Sequence, residues 1–263
     1  MAVVNLNNTA IHYSDTGSGD VIVLIHGLSA SFNMWSPQIK EFSKHYRVIA
    51  INARGVGSSG KLTGWTNILE RQVDDLHALL DYLNIDKAVI CGVSYGGVFT
   101  QKFYLTYPEK CKAIAIIDSY STTKVQNFKE FLWLLNVYLG APSNLLPRSW
   151  LSAIMKSLYK RWPTASKIMG DVTMEYRGYE AMKTRIAINN IDFISELNRV
   201  NVPALCAVGT QSWWLSIPFM KKCAQAIPTC RELTFIPHAY DPSNLCQVEK
   251  FNEILAKFLE EVY

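Results

Sequence analysis

Charged residues are scarce in this sequence, and neither sign of charge dominates. Asp, Glu, Lys and Arg make up 18% of the 263 residues, with 26 basic against 22 acidic side chains. About a quarter is typical, so this low share and the 49% of hydrophobic residues predict a sizeable core and exclude a disordered chain. A net charge of +4 spread along the chain does not mark a nucleic-acid-binding surface, and we expect no nucleic-acid partner.

Long hydrophobic runs, paired cysteines and a signal sequence are also missing. No apolar run approaches the ~20 residues of a membrane-spanning helix, and the longest candidate, Phe131 to Leu139, contains Asn136. The six cysteines lack metal-binding or disulfide spacing, which predicts free thiols, no metal site and no cofactor. The first residues resemble no signal peptide, and we therefore expect a cytoplasmic protein.

Short apolar runs, rich in β-branched residues, alternate with helical patterns along most of the chain. Continuous apolar runs suit strands buried on both faces of a mainly parallel sheet. Amphipathic spacing predicts helices at Leu69–Leu83, Val98–Tyr107 and Val248–Val262. The predicted strands are Val21–Ile25, Val48–Ile51, Ala88–Cys91, Ala113–Ile117, Ala204–Val208 and Glu232–Ile236.

The alternation breaks between residues 119 and 194, where helical patterns occur without a convincing strand. This predicts a helical cap at 119–194, inserted into an α/β core formed by residues 1–118 and 195–263. Large apolar side chains of the cap either line a chamber for an apolar ligand or only pack the cap itself. They are Phe128, Phe131, Trp133, Tyr138, Trp150, Met155, Tyr159, Met169, Met174, Tyr176 and Met182.

A Gly-x-Ser-x-Gly motif, Gly92-Val93-Ser94-Tyr95-Gly96, is the most informative part of the sequence. It lies between a predicted buried strand and a predicted helix, where its glycines allow a sharp turn that presents Ser94 at the carboxyl edge of the sheet. Upstream, His26-Gly27-Leu28 follows another predicted strand. The N–H groups of Leu28 and Tyr95 are therefore predicted to form an oxyanion hole.

With these motifs the chain resembles the α/β-hydrolase superfamily. The resemblance also includes Asn52-Ala53-Arg54-Gly55-Val56-Gly57-Ser58, Tyr107-Pro108-Glu109, Val202-Pro203 and the C-terminal helix around Phe251, and it is weakest in the cap. It implies an eight-stranded, mainly parallel sheet with flanking helices, an active site beneath a helical lid, and a triad in the chain order serine, acid, histidine.

Both remaining triad positions depart from that family pattern. The acid usually stands in Gly-x-x-Asp, where this sequence reads Gly209-Thr210-Gln211-Ser212. The histidine position, five residues after Ile236 and ten before Phe251, holds Asp241. An unperturbed aspartate, with a pKa near ~3.9, is a weak base for a serine hydroxyl unless burial raises the pKa. Ordinary Ser-His-Asp hydrolysis is therefore not the favoured expectation.

Two other residues are alternatives for completing the triad. His238, three residues before the expected position, either swings toward Ser94 or is a surface loop residue. Asp118, at the end of a predicted strand, either replaces the missing acid or only caps the following turn. Asp241 itself either faces Ser94 or stabilises its own loop.

Five further residues are candidates for contacts with a substrate. For His26, the alternative is a role in shaping its loop, and for the tryptophans it is packing alone. The candidates are His26, Trp133, Trp213, Trp214 and Tyr240.

Three functions remain open from the sequence. The preferred hypothesis is an atypical, cofactor-free enzyme, a lyase, cyclase, dehydratase or isomerase, in which Asp241 moves a proton on an apolar carbonyl compound, acyl or polyketide-like, bound at Ser94 and the oxyanion hole. The second is an esterase or thioesterase that uses Ser94, His238 and Asp118. The third is a non-catalytic protein that binds a small apolar molecule. The oligomeric state is open in all three.

Overall fold

A single eight-stranded sheet forms the centre of the protein, in a computed structural model that describes residues 1–263. The order across the sheet is β1-β2-β4-β3-β5-β6-β7-β8, in which β1 and β2 run antiparallel to their neighbours and β3 to β8 are parallel. The strands are β1 (Ala2–Leu6), β2 (Thr9–Thr16), β3 (Val21–Ile25), β4 (Arg47–Asn52), β5 (Ala88–Val93), β6 (Cys111–Ile117), β7 (Ala204–Gly209) and β8 (Leu233–Ile236).

The predicted fold class is confirmed, and the six predicted strands correspond to β3 through β8. The hairpin of β1 and β2 was not located from the sequence because its strands are partly exposed and carry interspersed polar residues. The signal that marks it is the turn at Asn7 and Asn8, whose φ angles of 50° and 56° are typical of two-residue hairpin loops.

Helices cover both faces of the sheet and bury two apolar layers against it. One layer contains residues of α2, α3 and α8, and the other contains residues of α1, α6 and α10. The predicted helices correspond to α2, α3 and α10. The helices are α1 (Ser36–Phe42), α2 (Ile68–Tyr82), α3 (Tyr95–Thr106), α4 (Phe128–Gly140), α5 (Arg148–Leu158), α6 (Pro163–Val172), α7 (Gly178–Ile188), α8 (Ser216–Ala226), α9 (Ser243–Cys246) and α10 (Val248–Val262).

Helices α4 to α7 form the insertion between β6 and β7. An isolated antiparallel bridge joins Thr122 to Asp192, and the Phe193 N–H donates to the Ser121 carbonyl at 2.8 Å, so the two ends of the insertion lie side by side. The division of the chain at residues 119 and 194 stays a prediction. None of the ten helices has both the length and the apolar composition needed to cross a membrane.

Candidate active site

Ser94 stands on a sharp turn between β5 and α3. Its φ of 57° is unfavourable for a residue with a side chain. The turn is possible because Gly92 and Gly96 have no side chains and so allow close backbone contacts. A β carbon on Gly92 would lie 2.0 Å from the Gly96 carbonyl oxygen, and one on Gly96 would lie 2.2 Å from the Ile25 carbonyl oxygen. The Ser119 hydroxyl donates to the Ser94 carbonyl at 2.8 Å and fixes the turn from the side of β6.

Leu28 and Tyr95, whose N–H groups are predicted to form the oxyanion hole, line a smaller pocket that shares Ser29 and Tyr176 with the cavity above Ser94. Outside the helices and strands, no backbone hydrogen bond is donated by the Leu28 or the Tyr95 N–H. Tyr95 begins α3, and the first N–H groups of a helix lack helical partners. A β carbon on Gly27 would lie 3.7 Å from Ser94 Cβ, so the Leu28 loop contacts the serine turn. This arrangement suits binding of a carbonyl oxygen that gains negative charge.

The Asp118 carboxylate joins three loops at the carboxyl edge of the sheet. It is buried at the end of β6 and accepts hydrogen bonds from the Gly209 N–H at 2.8 Å and the Ser243 N–H at 2.7 Å. Asp118 therefore does not cap the turn that follows it. It binds the ends of β7 and of the loop that carries Asp241, which is the region where the family's acid is expected.

The Asp241 carboxyl borders the same cavity as Ser94 and lies near Asp118. Its pKa is raised to about 8, first because burial disfavours the charged form and second because of the Asp118 charge. The nearby Ser94 hydroxyl and the positive charge of Arg185 both act in the opposite direction.

Asp118 titrates at a lower pH than Asp241. Burial raises the pKa of Asp118 to about 6, while its hydrogen bonds at Gly209 and Ser243 favour the anion. Near pH 7 the two carboxyls therefore share one proton and one negative charge. A carboxyl whose pKa lies near neutrality is able to donate or accept a proton under ordinary conditions.

The structure does not bring His238 to Ser94. The His238 backbone is held by its N–H, which donates to the Thr210 hydroxyl at 3.0 Å, and by its carbonyl, which accepts from the Trp162 indole N–H at 2.9 Å. Its side chain is exposed, and it is not on the wall of the cavity that contains Ser94. The alternative triad of Ser94, His238 and Asp118 is therefore not assembled.

The cavity above Ser94 has a volume of about 400 Å³ and lies between the sheet edge and the cap. Of its 22 lining residues 10 are hydrophobic, so the wall of the cavity combines polar and apolar side chains. Of the eleven cap residues proposed for that chamber, Trp133, Met155 and Tyr176 line the cavity. Most of the others are exposed at the surface of the cap or buried in its packing, because α4 and α5 turn other faces toward the cavity.

The five substrate-contact candidates separate into two groups. Trp133 and Trp213 line the cavity, whereas Trp214 does not and is about half exposed. Tyr240 packs instead against the cap, with its ring stacked on Trp162 at 6.2 Å between centroids.

His26 shapes the loop that carries Leu28. It is buried and does not line the main cavity. One ring nitrogen contacts the Gly27 carbonyl at 2.8 Å, and the other accepts from the Ala53 N–H at 3.1 Å. Burial lowers the pKa of His26 to about 4, so the ring is neutral and both nitrogens are occupied.

Arg185 is a charged cavity residue that the sequence analysis missed. It lies on α7, is half-buried, and lines the same cavity as Ser94 and Asp241. No local motif distinguishes Arg185, because the sequence around it, including Thr184 and Ile186, is typical of an ordinary helix. No cluster of three or more His, Cys, Asp or Glu side chains is arranged to hold a metal ion.

A buried polar network supports the start of α3 behind the cavity. The Arg54 guanidinium pairs with the Asp75 carboxylate at 2.6 Å, and both side chains are buried. Gln72 donates to the Arg54 carbonyl and accepts from the Tyr95 hydroxyl at 2.7 Å. The loop after β4, helix α2 and the Tyr95 amide are thereby held together.

Comparisons with known proteins agree with this architecture. A model of the alpha/beta hydrolase fold family matches residues 20–245. The chain is 26% identical to 3-oxoadipate enol-lactonase 1 of Acinetobacter baylyi over 92% of its length and 89% of that protein. It is 35% identical to (E)-2-((N-methylformamido)methylene)succinate hydrolase of the same organism, over 43% of its length and 42% of that protein.

A solved structure shows the same fold over nearly the whole chain. The enol-lactonase from Burkholderia xenovorans LB400 superimposes with a TM-score of 0.81 and 23% identity, covering 98% of this chain and 100% of that one. The names of these similar proteins all denote hydrolytic enzymes, which indicates an enzyme of the α/β-hydrolase type.

Proposed function

The chain belongs to the α/β-hydrolase family, and we propose that it is an enzyme of this family in which Asp241 moves the proton that the family assigns to histidine. The observation that carries the proposal is the position of Asp241 on the wall of the Ser94 cavity, beside the buried Asp118 carboxylate and without a histidine on that wall. The raised pKa of Asp241 supports it, because general acid–base groups work best when their pKa lies near the working pH.

The proposed reaction is a proton transfer next to a carbonyl group. The carbonyl oxygen accepts hydrogen bonds from the Leu28 and Tyr95 N–H groups, and the Ser94 hydroxyl contacts the same end of the substrate. The ionised Asp241 carboxylate removes a proton from the adjacent carbon, and the electron pair of that C–H bond moves onto the carbonyl as an enolate, which the two amides stabilise. Protonated Asp241 then returns the proton to another carbon, as in an isomerase, or to a departing oxygen, as in a dehydratase or lyase.

Hydrolysis is the second candidate, and the intact serine turn and the names of the related hydrolases favour it. In this reaction Ser94 attacks an acyl carbon and gives its proton to the Asp241 carboxylate. Protonated Asp241 next donates to the leaving group, and a water molecule releases the acyl group from Ser94. The route differs from the esterase hypothesis of the sequence analysis, because Asp241 replaces His238 as the base.

Two measurements separate these functions. For proton transfer, we expect the protein to exchange the α hydrogens of small ketones and oxo acids for deuterium, followed by NMR in D₂O. We expect about a 100-fold slower exchange in Asp241→Asn, since general base catalysis typically contributes at least that factor. Unchanged exchange in Asp241→Asn excludes Asp241 as the base.

The second measurement uses a fluorophosphonate, which labels activated serines. Strong labelling of Ser94 that persists in His238→Ala and disappears in Asp241→Asn selects hydrolysis over proton transfer. The absence of both exchange and labelling, together with thermal stabilisation by a ligand that is recovered unchanged, selects the non-catalytic binder.

A further inference from the structure

Arg185 is the one arginine in the chain whose guanidinium has no partner. Eight of the nine arginines form an ion pair, a hydrogen bond or a contact with an aromatic ring. These are Arg47 with Asp15, Arg54 with Asp75, Arg71 with Thr63, Arg148 with the Met174 carbonyl, Arg161 with Trp162, Arg177 with the Ser59 carbonyl, Arg199 with Glu196 and Arg231 with Glu261. Arg185 is nevertheless half-buried and lines the cavity.

A partly buried guanidinium needs hydrogen-bond acceptors, because it carries five N–H donors. The only other charged residues on the cavity wall are Asp118 and Asp241. Asp118 already accepts two backbone hydrogen bonds, and Asp241 forms no ion pair with Arg185 although it lies near enough to feel its charge. The protein therefore leaves this cation free to bind a group that enters the cavity.

The cavity that Arg185 lines also has polar residues on its wall. Among them are Asn136, Ser143, Asn144 and Thr173, of which the last three donate to backbone carbonyls of the cap. The Tyr176 hydroxyl hydrogen bonds to the Asn144 side chain and so ties this wall to the turn between α4 and α5. A guanidinium matches the geometry of a carboxylate, which it binds through two parallel hydrogen bonds.

We propose that Arg185 is an anion-binding residue and that the substrate is a carbonyl compound that also carries a carboxylate. Arg185 binds the carboxylate end, and the Leu28 and Tyr95 N–H groups bind the carbonyl end beside Ser94. The inference rests on the proposed function in taking this cavity as the substrate site. It also gives a partner to the Arg185 guanidinium, which a purely apolar substrate leaves without one.

The test measures binding of three linear oxo acids, levulinate and its next two homologues, and of their uncharged primary amides. We expect at least one acid to bind the protein about 10-fold or more tighter than its amide in calorimetric titrations. Arg185→Gln is expected to remove that preference without changing the affinity for the amide, and Arg185→Lys to retain part of it. Arg231→Gln is the matched control, because Arg231 is an exposed arginine in a surface ion pair.

Two outcomes overturn the inference. One is that no acid binds more tightly than its amide. The other is that Arg185→Gln weakens acid and amide equally, which indicates a structural role or a role confined to balancing the Asp241 charge. Asp241→Asn and Ser94→Ala should keep the preference for the acid. If they keep it but the exchange and labelling experiments find no reaction, the proposed catalysis fails while the anion-binding role stands.

Discussion

Replacing Asp241 by asparagine is expected to stabilise the protein at alkaline pH, although it removes the proposed catalytic group. In the folded protein the pKa of Asp241 is about 8, against an ordinary 3.8. Folding therefore becomes less favourable as the pH rises from about 4 to about 8, because the unfolded chain releases this proton and the folded chain retains it. Above that range the loss is complete and constant.

The size of the effect follows from the two pKa values of Asp241. At about 1.4 kcal/mol for each pH unit, a rise from 3.8 to about 8 corresponds to at most about 6 kcal/mol of lost stability above pH 8. The Asp241→Asn side chain has nearly the same shape and does not ionise. We therefore expect it to raise the free energy of unfolding by about 2 to 6 kcal/mol at pH 9 and by about 0 at pH 4.

Urea denaturation of the wild type and Asp241→Asn at several pH values between 4 and 9 checks this prediction. The difference between the two proteins isolates Asp241, because the other titrating groups are common to both. Ser94→Ala is the control for loss of the adjacent hydroxyl, and its effect should depend far less on pH. A stability difference that is the same at pH 5 and pH 9 refutes the argument that Asp241 is protonated in the folded state at neutral pH.

Three other substitutions test the site and its support. His238→Ala should leave turnover and Ser94 labelling unchanged in the assays above, because the exposed His238 side chain is outside the cavity. A loss of turnover of about 100-fold contradicts this and supports His238 as the catalytic base. Asp118→Asn should move the pH profile of the Asp241-dependent rate to lower pH, because it removes the nearby negative charge; a shift to higher pH contradicts that coupling. Asp75→Ala should lower the free energy of unfolding by about 3 to 5 kcal/mol in urea, because it leaves Arg54 buried without its partner, and an effect below 1 kcal/mol shows that the pair is dispensable.

A raised pKa is an energetic cost that a purely structural carboxyl avoids. The part of Asp241 that holds the fold is its backbone carbonyl, which accepts from the Tyr159 hydroxyl at 2.8 Å. Its carboxyl instead faces the cavity, where burial and Asp118 oppose ionisation. Residues kept at the expense of stability are typical of functional sites, because activity often requires charges placed where the fold disfavours them.

The sequence predicted the strands β3 to β8 well and missed the hairpin at one edge of the sheet. Strands buried on both faces, such as Ala88–Val93, are continuous apolar runs, so the local sequence alone identifies them as strands. The hairpin of β1 and β2 lies at the edge, where burial alternates and polar residues are tolerated. The roles of the cap residues stayed open for a related reason: an apolar residue in a helix is compatible with packing, a cavity wall or solvent exposure, as Met169, Trp133 and Phe128 respectively illustrate.

By itself the sequence determined the serine turn, and it predicted Asp241 at the position where the family usually has histidine, because short motifs and their spacing from the strands indicate which residue lies at the carboxyl edge of the sheet. Only the tertiary structure decided which carboxyls meet and what charge they carry. Asp118 and Asp241 are far apart in the chain, and their pKa values depend on burial and on each other. The same holds for Arg185, because the absence of a partner becomes visible only when every neighbouring element is in place.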